Sequence, residues 1–567
     1  MRSIGGVPIA ALTLVALLPL ACADEVEPDA EAMSSDGGEM QARLDQFAPV
    51  TLGFDESLLD ADQRRVVKEL VEASRHLDDI FRLQAWGGNA DAEALLPTGD
   101  DSESAATREY YRIMYGPWDR LTGEEPFIEG AGHKPHGAGF YPDDMTREEF
   151  EEWIAANPGD EEAFKSETTL IQRTGDGGLV AVPYREAYTG HLEAASENLL
   201  AAAERANNPS LKRFLELRAG ALLSDDFYDS EVAWMRLSDN LIEPTLGPYE
   251  NYEDQLFGYK ISYESFIGLK DPVESERLAS LVENLPALEA ALPIPDEHKY
   301  LDRSFESPIS VVTLIYAGGE TAAGIQTIAF NLPNDPRVRE GEGSKKVMLR
   351  NVIDAKFETN LKPIAEQVLV PEQSAKISVD PYFTRVLMHE LAHGLGPDYV
   401  TGQPDLTTRQ ALKDRYAAME EAKADAVGTN SLRILTRSGV YDEAFLEEVY
   451  IDHVADMFRC VRFGITEAHG LGCLTQFNFL RDRGAITYDE STGLFAADLE
   501  VIPVAIAEMA HVYLMMQATG DYDGAGAFIE EYGTISPEMQ GALDRLAETV
   551  PVDIRPSYAV EELMADW

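Results

Sequence analysis

His389-Glu390-Leu391-Ala392-His393 decides how this chain of 567 residues is read. Two histidines four positions apart lie on one face of an α-helix, about 40° apart around its axis. Both imidazoles therefore reach one metal ion, and the glutamate between them points close enough to hold a water beside it. The flanks agree with a helix: Thr384-Arg-Val-Leu-Met388 leads in, and Gly394-Leu-Gly-Pro397 stops it. The plainer reading of these five residues is a buried helix carrying two core histidines. The rest of the chain decides between the two.

HExxH is the arrangement of zinc peptidases and supplies two metal ligands. A catalytic zinc takes three protein ligands and leaves its fourth position to water. The best source of the third is Glu420-Glu421-Ala422-Lys423-Ala424-Asp425, which continues a helical pattern over residues 408–435. Glu421 and Asp425 are one turn apart on the same face. Glu421 can then bind the metal while Asp425 takes a hydrogen bond from the far nitrogen of a ligand histidine and fixes its tautomer. Alone, this run reads as a charged outer face with Glu–Lys pairs. Beside HExxH it reads as part of a metal site. Two imidazoles and one carboxylate suit zinc, one ion per chain.

The charge balance is extreme: 46 basic against 101 acidic residues, a formal net charge of −55. Such a surface repels nucleic acid and anionic membranes and argues against both as partners. Arg2, the apolar run Val7 to Leu20 and the small residues around Cys22 read as an export signal over residues 1–23. It ends either in cleavage before Asp24 or in lipidation of Cys22, with Pro19 where a lipobox usually carries Leu, Val or Ile. The expected location is exported, periplasmic or lipid-anchored to a bacterial outer membrane, with membrane contact only through that anchor. Residues 24–45, acidic and rich in small side chains, read as a flexible linker. The catalytic region is expected over 46–567.

The remaining cysteines, Cys460 and Cys473, are expected as separate buried thiols, although an oxidising compartment would allow one bond. His133 and His136 read as an exposed loop pair. Asp60 or Asp62 caps a helix through Val66, Leu70, Leu77 and Phe81. Residues 87–105 read as loop. Thr146 and Glu149 form a capping box. Residues 168–184 read as a hairpin around Asp176-Gly177-Gly178, with helices at 186–206 and 209–222. Ile309 to Tyr316 is the best buried strand. Residues 375–482 and 498–546 are mostly helical. The fold expected is α+β and predominantly α-helical.

At this point the chain resembles a known family. HExxH followed by Glu-Glu-Ala-Lys-Ala-Asp resembles the dipeptidyl peptidase III family. Further stretches agree in order: Glu250-Asn-Tyr252 with Phe257-Gly258, Ala317-Gly-Gly319, Asn331-Leu-Pro-Asn334-Asp335, Asn351-Val352 and Ala468-His469. The resemblance implies two lobes around a cleft, with the metal site in the helical lobe and a smaller β-containing lobe opposite. It implies zinc on His389, His393 and Glu421, and Glu390 as the general base acting on the metal's water. It implies His469 and Tyr252 as donors to the oxyanion, and Glu250, Asn331 and Asn334 as the grip on the substrate. The partners would be short peptides with a free N-terminus, acted on by a monomer or homodimer that releases dipeptides.

Two departures stand out. The best-known members carry HExxxH, whereas this chain has the shorter spacing, similar to members linked to Nudix domains in plants and to bacterial members. The family's arginine four residues after its catalytic histidine is replaced here by Cys473, which leaves that contact to another residue such as Arg481 or Arg483. The alternatives are a zinc hydrolase of other specificity, such as an endopeptidase, or a non-catalytic surface binding protein.

Overall fold

Val66, Leu70, Leu77 and Phe81 fall on one helical face, and helix α1 (Ala61–Ala85) forms there. Asp60 starts it: its side chain accepts from the Asp62 and Gln63 backbone N–H groups, while the Gln63 side chain accepts from the Asp60 N–H. Helix α2 (Thr189–Arg205) lays Leu192, Ala195 and Leu199 into the same core. The computed structural model describes residues 38–301, 309–462, 464–465 and 468–567. The export signal expected over 1–23 lies outside them.

Next to these helices stands a mixed sheet of strands β1 (Ile242–Glu250), β2 (Ser262–Lys270), β3 (Ile309–Gly319), β4 (Ala329–Leu332) and β5 (Lys345–Leu349). Their order is β1-β2-β3-β5-β4, with β3 and β5 parallel and the other pairs antiparallel. Side chains alternate faces along a strand. On β5, Val347 and Leu349 enter one hydrophobic core together with α1 and α2, while Met348 enters the other. That second core is built from α3 (Val379–Ala392), α4 (Tyr416–Arg437), α5 (Glu443–Val461), α6 (Ala468–Asp482) and α7 (Ile502–Thr519). The protein is therefore predominantly helical, with a helical lobe and a lobe that contains the sheet.

Most local expectations hold. The hairpin pairs Thr169–Arg173 with Leu179–Pro183. Of the capping box expected at Thr146, one of the two bonds forms: Thr146 accepts from the Glu149 N–H. His133 and His136 are exposed in a loop. Several expectations are corrected. The linker expected over 24–45, and with it the start at 46, ends too late: Glu39–Leu44 is a helix with Met40 and Leu44 buried beside Ala106, Tyr110 and Met114. Its partner is distant in sequence, so composition could not reveal it. The loop expected over 87–105 contains a short helix, Asn89–Ala92, and the start of Ser102–Met114, capped by Asp101. The helical run expected over 408–435 is broken at Lys413, whose φ of 51° is left-handed.

Cys460 and Cys473, expected as separate thiols, form a disulfide that joins the end of α5 to α6. The two helices pack side by side, which brings together residues 13 apart in sequence.

Candidate metal centre

His389 lies in the last turn of α3 and His393 caps its C-terminus. Glu421 comes from α4. A close helix crossing brings them together. A Cβ on Gly428 of α4 would lie 2.8 Å from the Met388 carbonyl oxygen and 3.0 Å from the His389 nitrogen. Only glycine allows that approach. Gly472 of α6 packs against α4 in the same way, where a Cβ would meet the Ala418 carbonyl oxygen at 3.1 Å.

Three imidazole nitrogens converge on one carboxylate oxygen. Glu421 Oε2 is 3.3 Å from His389 Nε2, 3.7 Å from His393 Nε2 and 3.1 Å from His469 Nε2. By mutual distance alone, His389, Glu421 and His469 form the tightest group, with donor atoms within 4.8 Å of one another. The opposite nitrogens single out a different pair. His389 Nδ1 is 2.8 Å from Asp425 Oδ1, and His393 Nδ1 is 2.8 Å from Glu420 Oε1. A carboxylate on the far nitrogen places the proton on Nδ1 and leaves the Nε2 lone pair for a metal. His469 is largely exposed, and no carboxylate meets its Nδ1 among the described residues. The donor set that fits a divalent cation is therefore His389, His393 and Glu421, with His469 alongside.

The supporting carboxylates are themselves held. Asp425 accepts from Gln476 Nε2 at 3.1 Å and faces Arg385, which also pairs with Asp452 and Asp456. Glu420 accepts from Gln517 Nε2 at 2.7 Å and pairs with Lys423 at 2.8 Å. The motif that pointed to Glu421 contained Glu420, but nothing in its spacing showed that it backs His393. These contacts set the charges. Burial alone would raise the carboxyls of Glu420, Glu421 and Asp425, yet the neighbouring cations win and hold all three below the usual range, Glu420 at about 2. Burial lowers His389, but Asp425 and then Glu421 outweigh it and push the ring up to about 10, so a cation must displace the Nε2 proton to bind there.

Glu390 faces Lys346 of β5, whose Nζ lies 2.9 Å from Glu390 Oε2 and 2.8 Å from the Glu390 carbonyl oxygen. Burial raises its carboxyl, and Lys346 with the flanking histidines more than reverses that. The sequence carried no sign of Lys346, because the contact joins two lobes.

The centre opens into a cleft of about 820 Å³. Its walls include His389, Glu390, His393, Glu421 and His469 on one side and Glu250, Tyr252, Asn331 and Asn334 on the other. Every site residue expected from the sequence is thus at the cleft except Asp425, which sits behind His389. Asn334 Nδ2 donates to the Tyr249 carbonyl oxygen at 3.1 Å and to Glu250 Oε1 at 3.2 Å. Asn331 is directly opposite Lys346 in the β4–β5 ladder, so their side chains share a face. Tyr252 projects into open cleft space and is 71% exposed. Its hydroxyl is nonetheless pushed up to about 12, by the surrounding cleft walls and by the charges of Glu250, Glu320 and Glu264.

The sequence did not reveal Glu264 and Glu320, two further carboxylates in the wall. Glu264 is 4% exposed, and burial followed by the charge of Glu250 pushes it up to about 8. Glu320 has both carboxylate oxygens buried without a hydrogen bond and is pushed well above the usual range by burial and by Glu253 and Glu264. Arg481 and Arg483, expected as stand-ins for the missing family arginine, are engaged elsewhere. Arg481 bonds Ser536 and Glu538, and Arg483 bonds Asp482 and Tyr532. The arginine that lines the cleft is Arg120, paired with Glu253.

Comparison with known proteins agrees with this geometry. Residues 143–405 match the model of Peptidase family M49. Nudix hydrolase 3 of Arabidopsis thaliana is 35% identical over 95% of this chain and 76% of its own length. Human dipeptidyl peptidase 3 is 29% identical over 30% of this chain and 22% of its own length. Among solved structures, dipeptidyl peptidase III of Caldithrix abyssi superposes with a TM-score of 0.89 at 45% identity, covering 92% of this chain and all of that one. The enzyme from Corallococcus sp. strain EGB gives 0.78 at 38% identity, covering 93% and 98%. With the buttressed histidines, the carboxylate and the two-lobed cleft already in place, these likenesses make the chain a member of Peptidase family M49, the dipeptidyl peptidase III metallopeptidases.

Proposed function

We propose that this chain is a zinc-dependent exopeptidase that removes dipeptides from the free N-terminus of short peptides, with His389, His393 and Glu421 as its metal ligands. One observation carries the reading. The buttressed histidines and Glu421 form one side of a cleft whose other side presents Glu250, Tyr252, Asn331 and Asn334. Two imidazoles and a carboxylate match the preferences of zinc. When bound, the ion supplies Lewis acidity toward water and the scissile carbonyl.

The chain's own residues do the rest. The Glu390 carboxylate, kept ionised by Lys346, takes a proton from the attacking water and delivers it to the leaving amine nitrogen. The Tyr252 hydroxyl, pushed up to about 12, stays protonated at neutral pH and donates to the developing oxyanion, with His469 Nε2 as the second donor. Glu250, steadied by Asn334, receives the terminal ammonium, and Asn331 binds the first backbone groups of the substrate. The span from this anchor to Glu390 sets how many residues are removed.

The same reading makes residues 1–23 an export signal, with the mature chain either free in the periplasm or held by a lipid on Cys22. The Cys460–Cys473 disulfide supports an oxidising compartment. No helix among the described residues is long and apolar enough to cross a membrane.

The test is a tetrapeptide offered with a free and with an acetylated N-terminus, the products weighed, together with metal analysis of the purified protein. Dipeptides from the free form only, and their loss in Glu390→Gln, support the proposal. Cleavage of the blocked peptide points to an endopeptidase. Bound metal with no turnover, and no difference in Glu390→Gln, points to a binding protein.

A further inference from the structure

We infer that the sheet-containing lobe carries a second metal site, formed by His76, Asp79 and His191 between helices α1 and α2, that takes a borderline divalent cation such as zinc. The site is remote from the catalytic cleft in sequence and shares no residue with it.

The helix geometry makes the site. His76 and Asp79 are three positions apart on α1 and so lie on one face, one turn apart. His191 is the third residue of α2. The two helices bury Leu70, Leu77, Leu192 and Leu199 in a common core, which fixes their spacing and sets the three polar side chains side by side at its rim. One donor atom from each lies within 4.8 Å of the other two. His191 Nδ1 is 3.6 Å from Asp79 Oδ2, and the two imidazole rings are 5.7 Å apart. Donor atoms around a tetrahedral zinc are about 3.3–3.5 Å apart. The His191–Asp79 pair, at 3.6 Å, is nearly there already.

A second observation separates this group from an ordinary surface His–Asp contact. His76 Nδ1 is buried and has no hydrogen-bond partner. Buried nitrogens of this kind are normally satisfied, and coordination satisfies one. The ligand chemistry selects the ion. Two imidazoles favour zinc, nickel or copper, whereas magnesium and calcium require oxygen-rich shells. Asp79 is half-exposed, so the remaining positions go to water. An ion here pins α1 to α2.

The test counts metal ions. Purified protein is stripped, loaded with excess zinc chloride, desalted and assayed for bound metal and for dipeptide release. The wild type is expected to hold about two equivalents, and His191→Ala and Asp79→Asn each about one, with dipeptide release unchanged. Zinc should also raise the melting temperature of a His389→Ala variant, and that rise should vanish when His191→Ala is added. A single equivalent in the wild type overturns the inference, and so does a second equivalent that survives both substitutions.

Discussion

Lys346 reaches across from the sheet to Glu390, 2.9 Å from its carboxylate and 2.8 Å from its carbonyl oxygen, so the two lobes are tied at the residue proposed to move the proton. Strand alternation explains the contact. Val347 and Leu349 turn into the sheet lobe's core, which leaves Lys346 and Met348 facing the helical lobe.

Lys346→Met keeps the aliphatic stem and removes the charge. On the proposed mechanism kcat falls roughly 10- to 100-fold, or about 1.4–2.8 kcal/mol of transition-state stabilisation, while bound metal stays the same. Steady-state kinetics beside metal analysis checks this. Unchanged kcat would remove Lys346 from the mechanism.

Gly428→Ala tests the helix crossing. The added Cβ meets the Met388 carbonyl oxygen at 2.8 Å, so α4 must move away from α3 and carry Glu421 with it. Overpacking of this kind costs about 1–3 kcal/mol, against roughly 1 kcal/mol of helix propensity gained. Metal affinity should fall by about tenfold or more, since it depends on that spacing. Metal retention on dialysis against a chelator, with thermal melts, reads both effects.

Glu264→Gln tests the acidic wall through pH. Burial, then the charge of Glu250, raises the folded carboxyl to about 8 from the 4.5 of an exposed glutamate. Between those values the folded state holds a proton that the unfolded state has released. Stability therefore falls as pH rises from about 4.5 toward 8 and stays low above it. The glutamine variant lacks this slope and should be more stable than wild type at pH 9 by roughly 2–4 kcal/mol. Urea melts at pH 5, 7 and 9 show whether the two curves diverge.

Removing the disulfide with Cys460→Ala and Cys473→Ala opens a loop with a sequence separation of 13. Loops of this size contribute about 3 kcal/mol by restricting the unfolded chain. The loop leads into α6 and His469, so kcat should also drop, by a factor of about 2–5 if His469 is loosened. Melts of wild type with and without reductant should reproduce the stability loss.

What could be read along the chain is what repeats locally. The spacing of His389 and His393, and of Glu421 and Asp425, is a property of a single helix, so the sequence alone determined that these side chains share a face and pointed to a metal. The order of short motifs brought in Glu250, Tyr252, Asn331, Asn334 and His469, and all of them line the cleft. Strands β1 and β2 were not legible: Pro244, Gly247 and Pro248 in β1 and the polar residues of β2 obscure any alternation, and proline is tolerated because β1 is an edge strand.

Tertiary structure alone decided which atoms face each other between elements. The Glu420 support of His393, the Lys346–Glu390 pair, the buried Glu264 and Glu320, the Gly428 crossing and the Cys460–Cys473 bond all join residues from different helices, strands or lobes. Periodicity fixes where a side chain points on its own element. How close it comes to another depends on how whole elements pack, and no local pattern records that distance.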